Sequence, residues 1–156
     1  MRYCYIDTPI HLLYQLNSIN KVKNMELIAT KVCKKGDIGV HDNLFGGLML
    51  CWIDEAALSM ATSVCHTPNM VTLKIHEVFF KSPVKVNNQI KIYGCVETVG
   101  NTSITLAIEA RRFSVYTHEE TIVCSTKIVF VRIDDDGRAI PISKSKKARI
   151  MESIES

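Results

Sequence analysis

None of the six cysteines in this chain pairs with another at CxxC spacing. Cys4, Cys33, Cys51, Cys65, Cys95 and Cys124 lie far apart, several inside apolar runs, where a cysteine behaves as a small hydrophobe. That pattern argues against a zinc site and a disulfide framework, and fits reduced thiols in a cytoplasmic protein. Strong charge is lacking too. The net charge is +3, and aromatics do not interleave with basic residues as an RNA-binding sheet requires. Nucleic acid is therefore not expected as a partner. No sustained apolar core or small-residue cleavage site follows Arg2, so no signal peptide is expected. No internal repeat is visible.

One stretch lacks charge almost entirely. From Asn43 to Leu73 the only formal charges are Asp54 and Glu55. Those acids and several small polar residues interrupt the apolar run around residues 44–64, so a membrane span is not expected. What is present is a core. At 156 residues and 47% hydrophobic, the chain reads as one domain. The segment HDNLFGGLMLCWIDEAALSMA at 41–61 opens on Gly46-Gly47 and reads as a helix ending near His66, with Pro68 after it. A helix apolar on every side is a buried helix. Burying even a neutral polar group unpaired costs roughly 2–7 kcal/mol, and a carboxylate costs more. Asp54 is thus a candidate for chemistry.

Around that helix the chain alternates. A first strand is expected over 26–34, then four longer ones over 71–80, 89–99, 103–116 and 121–133. In the first of these four, Val71, Leu73, Ile75 and Phe79 share a face. In the 103–116 strand, Ile104, Leu106, Ile108 and Ala110 do so. Turns are expected at Asn87-Asn88, Gly100-Asn101, His118–Glu120 and the DDDG run at 134–137. Short connections favour a meander. One apolar helix and one long antiparallel sheet satisfy each other if the sheet wraps the helix, an α+β fold of the hotdog kind. The expected organisation is an extension over 1–24, a body over 25–142 and a basic tail over 143–156. The tail holds Lys144, Lys146, Lys147 and Arg149, and reads as a solvated end or as a basic lip for a phosphate-bearing ligand.

The segment NLFGGLMLCWIDEAA resembles the helix signature of hotdog acyl-CoA thioesterases, specifically the YciA-like and cytosolic acyl-CoA hydrolase group. VTLKIHEVFFKSPVKVNNQIKIYGCVETVGNTS is similar to that group's second and third strands, with its Phe-x-Lys-x-Pro step. KIVFVRIDDDGRAIPI is similar to its last strand and turn. The resemblance spans roughly residues 26–142. It implies an acyl-CoA thioester hydrolase that needs no cofactor, works as a dimer or larger assembly (a tetramer or hexamer), and releases free CoA. It places the catalytic acid on Asp54 and a second catalytic group on Asn43, working from opposite subunits. Whether Asp54 acts as base or nucleophile stays open.

Physics supplies the oxyanion donors. Backbone N–H groups at Gly46 and Gly47 open the helix, where orphan donors and the positive dipole end favour an anionic oxygen. Glycine also lets a carbonyl approach closely. The resemblance often puts an arginine suited to a CoA phosphate in the turn occupied here by Asn101, Thr102 and Ser103. Lys81, Lys85, Arg111, Arg112 and the tail lysines are the cations available instead. Each candidate has a bland counterpart. Asp54 could be a structural carboxylate bonded to a neighbouring strand. Asn43 could cap the helix. Glu55 points about 100° away from Asp54 and suits a structural bond. His41 reads as solvated and Trp52 as packing. Two other functions use the same fold. A non-catalytic acyl-CoA sensor would carry a DNA-binding domain that residues 1–24 are too short to form. A dehydratase would need a histidine within the helix, and none precedes His66.

Overall fold

The computed structural model describes residues 25–155; the extension expected over 1–24 lies outside the described residues. The elements run β1 (Glu26–Val32), α1 (Gly46–Cys65), β2 (Met70–Ile75), β3 (Phe79–Phe80), β4 (Gln89–Val99), β5 (Ser103–Phe113), β6 (Glu120–Arg132) and α2 (Lys144–Glu155). Two short 3-10 turns, Lys35–Asp37 and Val40–Asp42, lead into α1. The strands form one antiparallel sheet in the order β1-β4-β5-β6-β2, with β3 also on β6. The α+β hotdog architecture is as expected: α1 lies in the sheet's concave face.

Why α1 fits there is visible in its residues. Its inward face carries Met49, Trp52, Ile53, Ala56, Ala57, Met60 and Ala61, all buried. They meet Ile90 and Ile92 of β4, Ile104, Leu106 and Ile108 of β5, and Ile128 and Phe130 of β6. The alanines bring the helix close. So does Gly94 in β4, where an added Cβ would lie 2.8 Å from Met60 Sδ. By length and composition α1 could cross a bilayer, but its apolar face packs on the sheet.

Four expectations need correction. The strand expected over 71–80 breaks into β2 and β3. Ile75 faces Ile128 and Phe79 faces Ser125, so four residues on one side span three on the other. The surplus bulges out. His76 N–H still bonds Lys127 O at 2.8 Å across the break. Second, only β4, β5 and β6 form a meander. β2 crosses to the far side of β6, because the near edge of β4 is taken by β1. The Asn87-Asn88 turn bonds the end of β1: Cys33 N–H to Asn88 O at 3.0 Å, and Asn87 N–H to Cys33 O at 2.8 Å.

Third, the tail is not a frayed end. Residues Lys144–Glu155 form α2, and Ile150 is buried against the core at 4% exposure. Lys146 Nζ donates to His66 O at 3.1 Å, where a cation favours the negative dipole end of α1. His66 itself takes a left-handed conformation (φ 48°), closing the helix with bonds to Ser63 O and Thr62 O. Fourth, α1 is not buried all round. Gly47, Cys51, Glu55 and Ser59 form an exposed stripe, flanked by half-buried Leu48, Leu50, Asp54 and Leu58. Beside it β2 is exposed too, with Leu73 at 67%, but the face expected to be shared by Val71, Leu73 and Ile75 does not exist: a bulge between Thr72 and Lys74 pairs Val71 with Val131 and Ile75 with Ile128, which point to opposite sides of the sheet.

Candidate active site

Residues 43–45 are pinned before the helix begins. Asn43 O accepts Gly39 N–H at 2.7 Å. Leu44 N–H donates to Val84 O at 2.8 Å, and Phe45 N–H to Asp37 O at 3.0 Å. The residue at the cap position is Phe45, and no side chain caps the helix. Asn43 therefore does not cap it, because it sits two residues too early. Its Oδ1 is buried with no hydrogen-bond partner among the described residues. Leaving such a group unbonded costs about 1–3 kcal/mol. The amide can turn its oxygen to a water, or its NH₂ to a carbonyl, with equal ease.

The first helical turn offers donors. Leu48 N–H and Met49 N–H both reach Phe45 O, at 3.0 and 3.1 Å. The N–H groups of Gly46 and Gly47 have no partner among the described residues. The Phe80 ring covers Gly46, with its nearest atom 3.4 Å from where a Cβ would stand. Beside these donors lies a cavity of about 370 Å³. Asn43, Gly46, Lys81 and Ser82 line it, and Leu44, Met49, Val84 and Val123 supply apolar walls. No carboxylate lines it.

Asp54 is elsewhere. It lies eight residues beyond Gly46, about 12 Å along the axis. It is half-buried, and its Oδ1 accepts the Thr72 hydroxyl at 2.8 Å. The expectation of a fully desolvated acid fails within one chain, because the stripe of α1 that carries Asp54 has no cover. Thr72 went unnoticed in the sequence. A polar residue in an alternating strand signals nothing until β2 is known to cross beside α1. Glu55 is exposed and pairs with Lys31 of β1 at 3.1 Å. His41 is exposed and Trp52 buried, as read.

The cation candidates divide. Lys81 lines the cavity. Lys85 Nζ bonds His41 O at 2.9 Å and Arg112 Nη1 bonds Pro83 O at 3.3 Å, so both stand at the Asn43 end. Arg111 points to the sheet's outer face. There it pairs with Glu109 at 2.7 Å and lies 4.4 Å over the Tyr93 ring. Glu120 receives Lys91 at 2.9 Å and the Tyr93 hydroxyl at 2.8 Å. Burial pushes the Glu120 carboxyl up. The hydrogen bonds from Lys91 and Tyr93, with Lys91's charge, outweigh burial and hold it below the ordinary range. Asn101, Thr102 and Ser103 sit at the opposite end of β5, about 30 Å from Arg112. Thr102 O accepts Arg132 N–H and Asn101 O accepts Ile142 N–H, both at 2.8 Å.

Two parts of α1 are thus furnished differently. The start of α1 has a cavity, an unbonded amide and free N–H donors, with no acid. The middle of α1 has an acid held by a hydroxyl, with no cavity.

Residues 41–117 match the family model described as the thioesterase superfamily. Among curated proteins the chain is similar to the uncharacterized acyl-CoA thioester hydrolase YkhA of Bacillus subtilis. They are 24% identical over 131 residues, covering 77% of this chain and 76% of that one. It is also similar to the acyl-CoA thioester hydrolase YciA of Salmonella typhimurium, 22% identical over 130 residues and covering 81% and 97%. Among solved structures it resembles Cj0915, a hexameric hotdog-fold thioesterase of Campylobacter jejuni. That match has a TM-score of 0.72 at 30% identity and covers 81% of this chain and 96% of that one.

Proposed function

The chain belongs to the hotdog thioesterase superfamily, and from that premise we propose that it hydrolyses acyl-CoA thioesters in a site completed by two copies. The observation that carries this reading is the division of α1 into two incomplete halves. A two-fold dimer with antiparallel helices sets the Asp54 of one copy against the Asn43 end of the other. The same contact covers the exposed stripe of Gly47, Cys51, Glu55 and Ser59 and the exposed Leu73 of the neighbouring β2.

In that site, a water held by Asn43 attacks the thioester carbonyl carbon and Asp54 takes its proton. Negative charge builds on the carbonyl oxygen, within reach of the Gly46 and Gly47 N–H groups. The C–S bond then breaks, and the thiolate leaves with a proton returned from Asp54. The products are free CoA and a carboxylic acid. Direct attack by the Asp54 carboxylate, through an anhydride that water then opens, fits the same placement. Lys81 on the cavity, with Lys85 and Arg112 outside its lining at the Asn43 end, supply the cations for the CoA phosphates. Arg111 is already engaged by Glu109, and the Asn101–Ser103 turn stands too far off in the same chain to share that ligand; it reaches one only from a neighbouring copy. Among the described residues, Cys33, Cys51, Cys65 and Cys124 are free thiols, which suits a reducing cytoplasm.

The experiment is release of free CoA thiol from an acyl-CoA, with the protein's own thiols subtracted. Turnover with the protein, absent in buffer, is the expected result. Binding of acyl-CoA with no thiol release would replace the hydrolase with a sensor.

A further inference from the structure

We propose that the Met49 side chain ends the acyl channel and so fixes the longest acyl group the protein handles well. This rests on the hydrolase reading above. The polar side chains on the cavity beside Gly46 are Asn43, Lys81 and Ser82. Its apolar floor is built from Leu44, Met49, Val84 and Val123. Met49, Val84 and Val123 are each at most 4% exposed. A floor without a polar group rejects a charged or hydroxylated tail, whose hydration nothing replaces. A saturated alkyl chain loses nothing there.

The floor has one movable part. Val84 and Val123 are β-branched and stiff. Met49 is unbranched and turns about three bonds. One helical turn further on, Ile53 lies on the same face, fully buried and not part of the cavity wall. Met49 therefore stands between the cavity and the packed core at Ile53, and truncating it lengthens the cavity by the volume of its own side chain. At roughly 30 Å³ per water-sized group, about 370 Å³ holds on the order of a dozen heavy atoms. The thioester head takes several of these, leaving room for about six to eight acyl carbons.

The test is kcat/KM against acyl length, over a series of straight-chain saturated acyl-CoA substrates, for four proteins. For the unaltered chain, kcat/KM rises by roughly fourfold per methylene buried, then breaks at about six to eight carbons. Met49→Ala moves the break to chains about two or three carbons longer. Met49→Leu, which conserves volume, keeps the break in place. Val84→Phe fills the floor from the other side and moves it to shorter chains. A break unmoved in either folded variant, Met49→Ala or Val84→Phe, overturns the proposal while leaving the hydrolase reading intact. Should Met49→Ala fail to fold, the smaller truncation Met49→Val decides, with the break expected about one carbon longer and an unmoved break overturning the proposal. Inactivity of the unaltered chain on every member sinks the hydrolase reading and the proposal with it.

Discussion

The first and third turns of α1 belong to one helix, yet their surroundings have little in common. The first turn has no charged residue, and among the described residues the Gly46 and Gly47 N–H groups and Asn43 Oδ1 have no hydrogen-bond partner. The third turn carries Asp54, whose carboxylate is bonded by Thr72 at 2.8 Å. About 12 Å of helix keeps them apart, so no side-chain motion within one chain unites them. The difference is what the proposed two-copy site is built on: if Asp54 and Asn43 act together, they do so from different chains.

Removing the reagent is the harshest way to break the comparison. Asp54→Asn keeps the bond to Thr72 and the shape, and deletes basicity. We expect a loss on the order of 10²–10⁴ in kcat with an unchanged melting transition. Asn43→Ala removes positioning only, and is expected to cost about 10-fold to 100-fold in kcat. An equal loss in both, or a folded Asp54→Asn variant with full turnover, would collapse the distinction between the two halves.

The sequence allowed one half to be read better than the other. The start of α1 was legible because its signals are local: FGG at 45–47, followed by an unbroken apolar run, fixes where donors open. The boundaries of β4 and β6 were legible to within a residue for the same reason, but β5 ends at Phe113 and not 116, because Ser114–Glu119 form the turn, with Ser114 N–H bonded to Glu119 O at 3.0 Å. The surroundings of Asp54 were not legible. Its partner Thr72 comes from a strand that pairs across the sheet with β6, and the exposure of the neighbouring stripe depends on how the sheet stops short of it. Gly94 was equally silent, because its role is the distance to Met60. The basic run at 143–156 misled by composition. Its lysines hide the spacing of Ile150 and Ile154, which turn the segment into a packed helix.

Milder effects sharpen the contrast between charged regions. Lys85 and Arg112 at the Asn43 end make no ion pair among the described residues. Contacts with CoA phosphates are screened within about 8–10 Å at physiological salt. KM for acyl-CoA is therefore expected to rise several-fold from low to high salt, and less in Lys85→Ala with Arg112→Ala. A KM flat across salt would remove these cations from binding. The outer-face cations behave differently, being already paired. Glu120 is held below its ordinary range in the folded chain. A depressed carboxyl stabilises above its unfolded pKa, and that contribution is lost as pH falls through the folded one. Glu120→Gln is expected to lower stability by about 1 kcal/mol at neutral pH, with the gap closing in acid and kcat unaffected. A constant gap across pH, measured by thermal melts, would show that its charge does not matter.

Mixing the two broken halves tests the shared site most directly. Asp54→Asn and Asn43→Ala chains, inactive or weak alone, are co-expressed with different tags and assembled at random. If each site takes Asp54 from one copy and Asn43 from the other, mixed dimers hold one doubly damaged site and one intact site. Random pairing then restores about one quarter of the unaltered activity. Activity no higher than the average of the two parents, with mixed dimers recovered on both tags, would contradict a site built across copies.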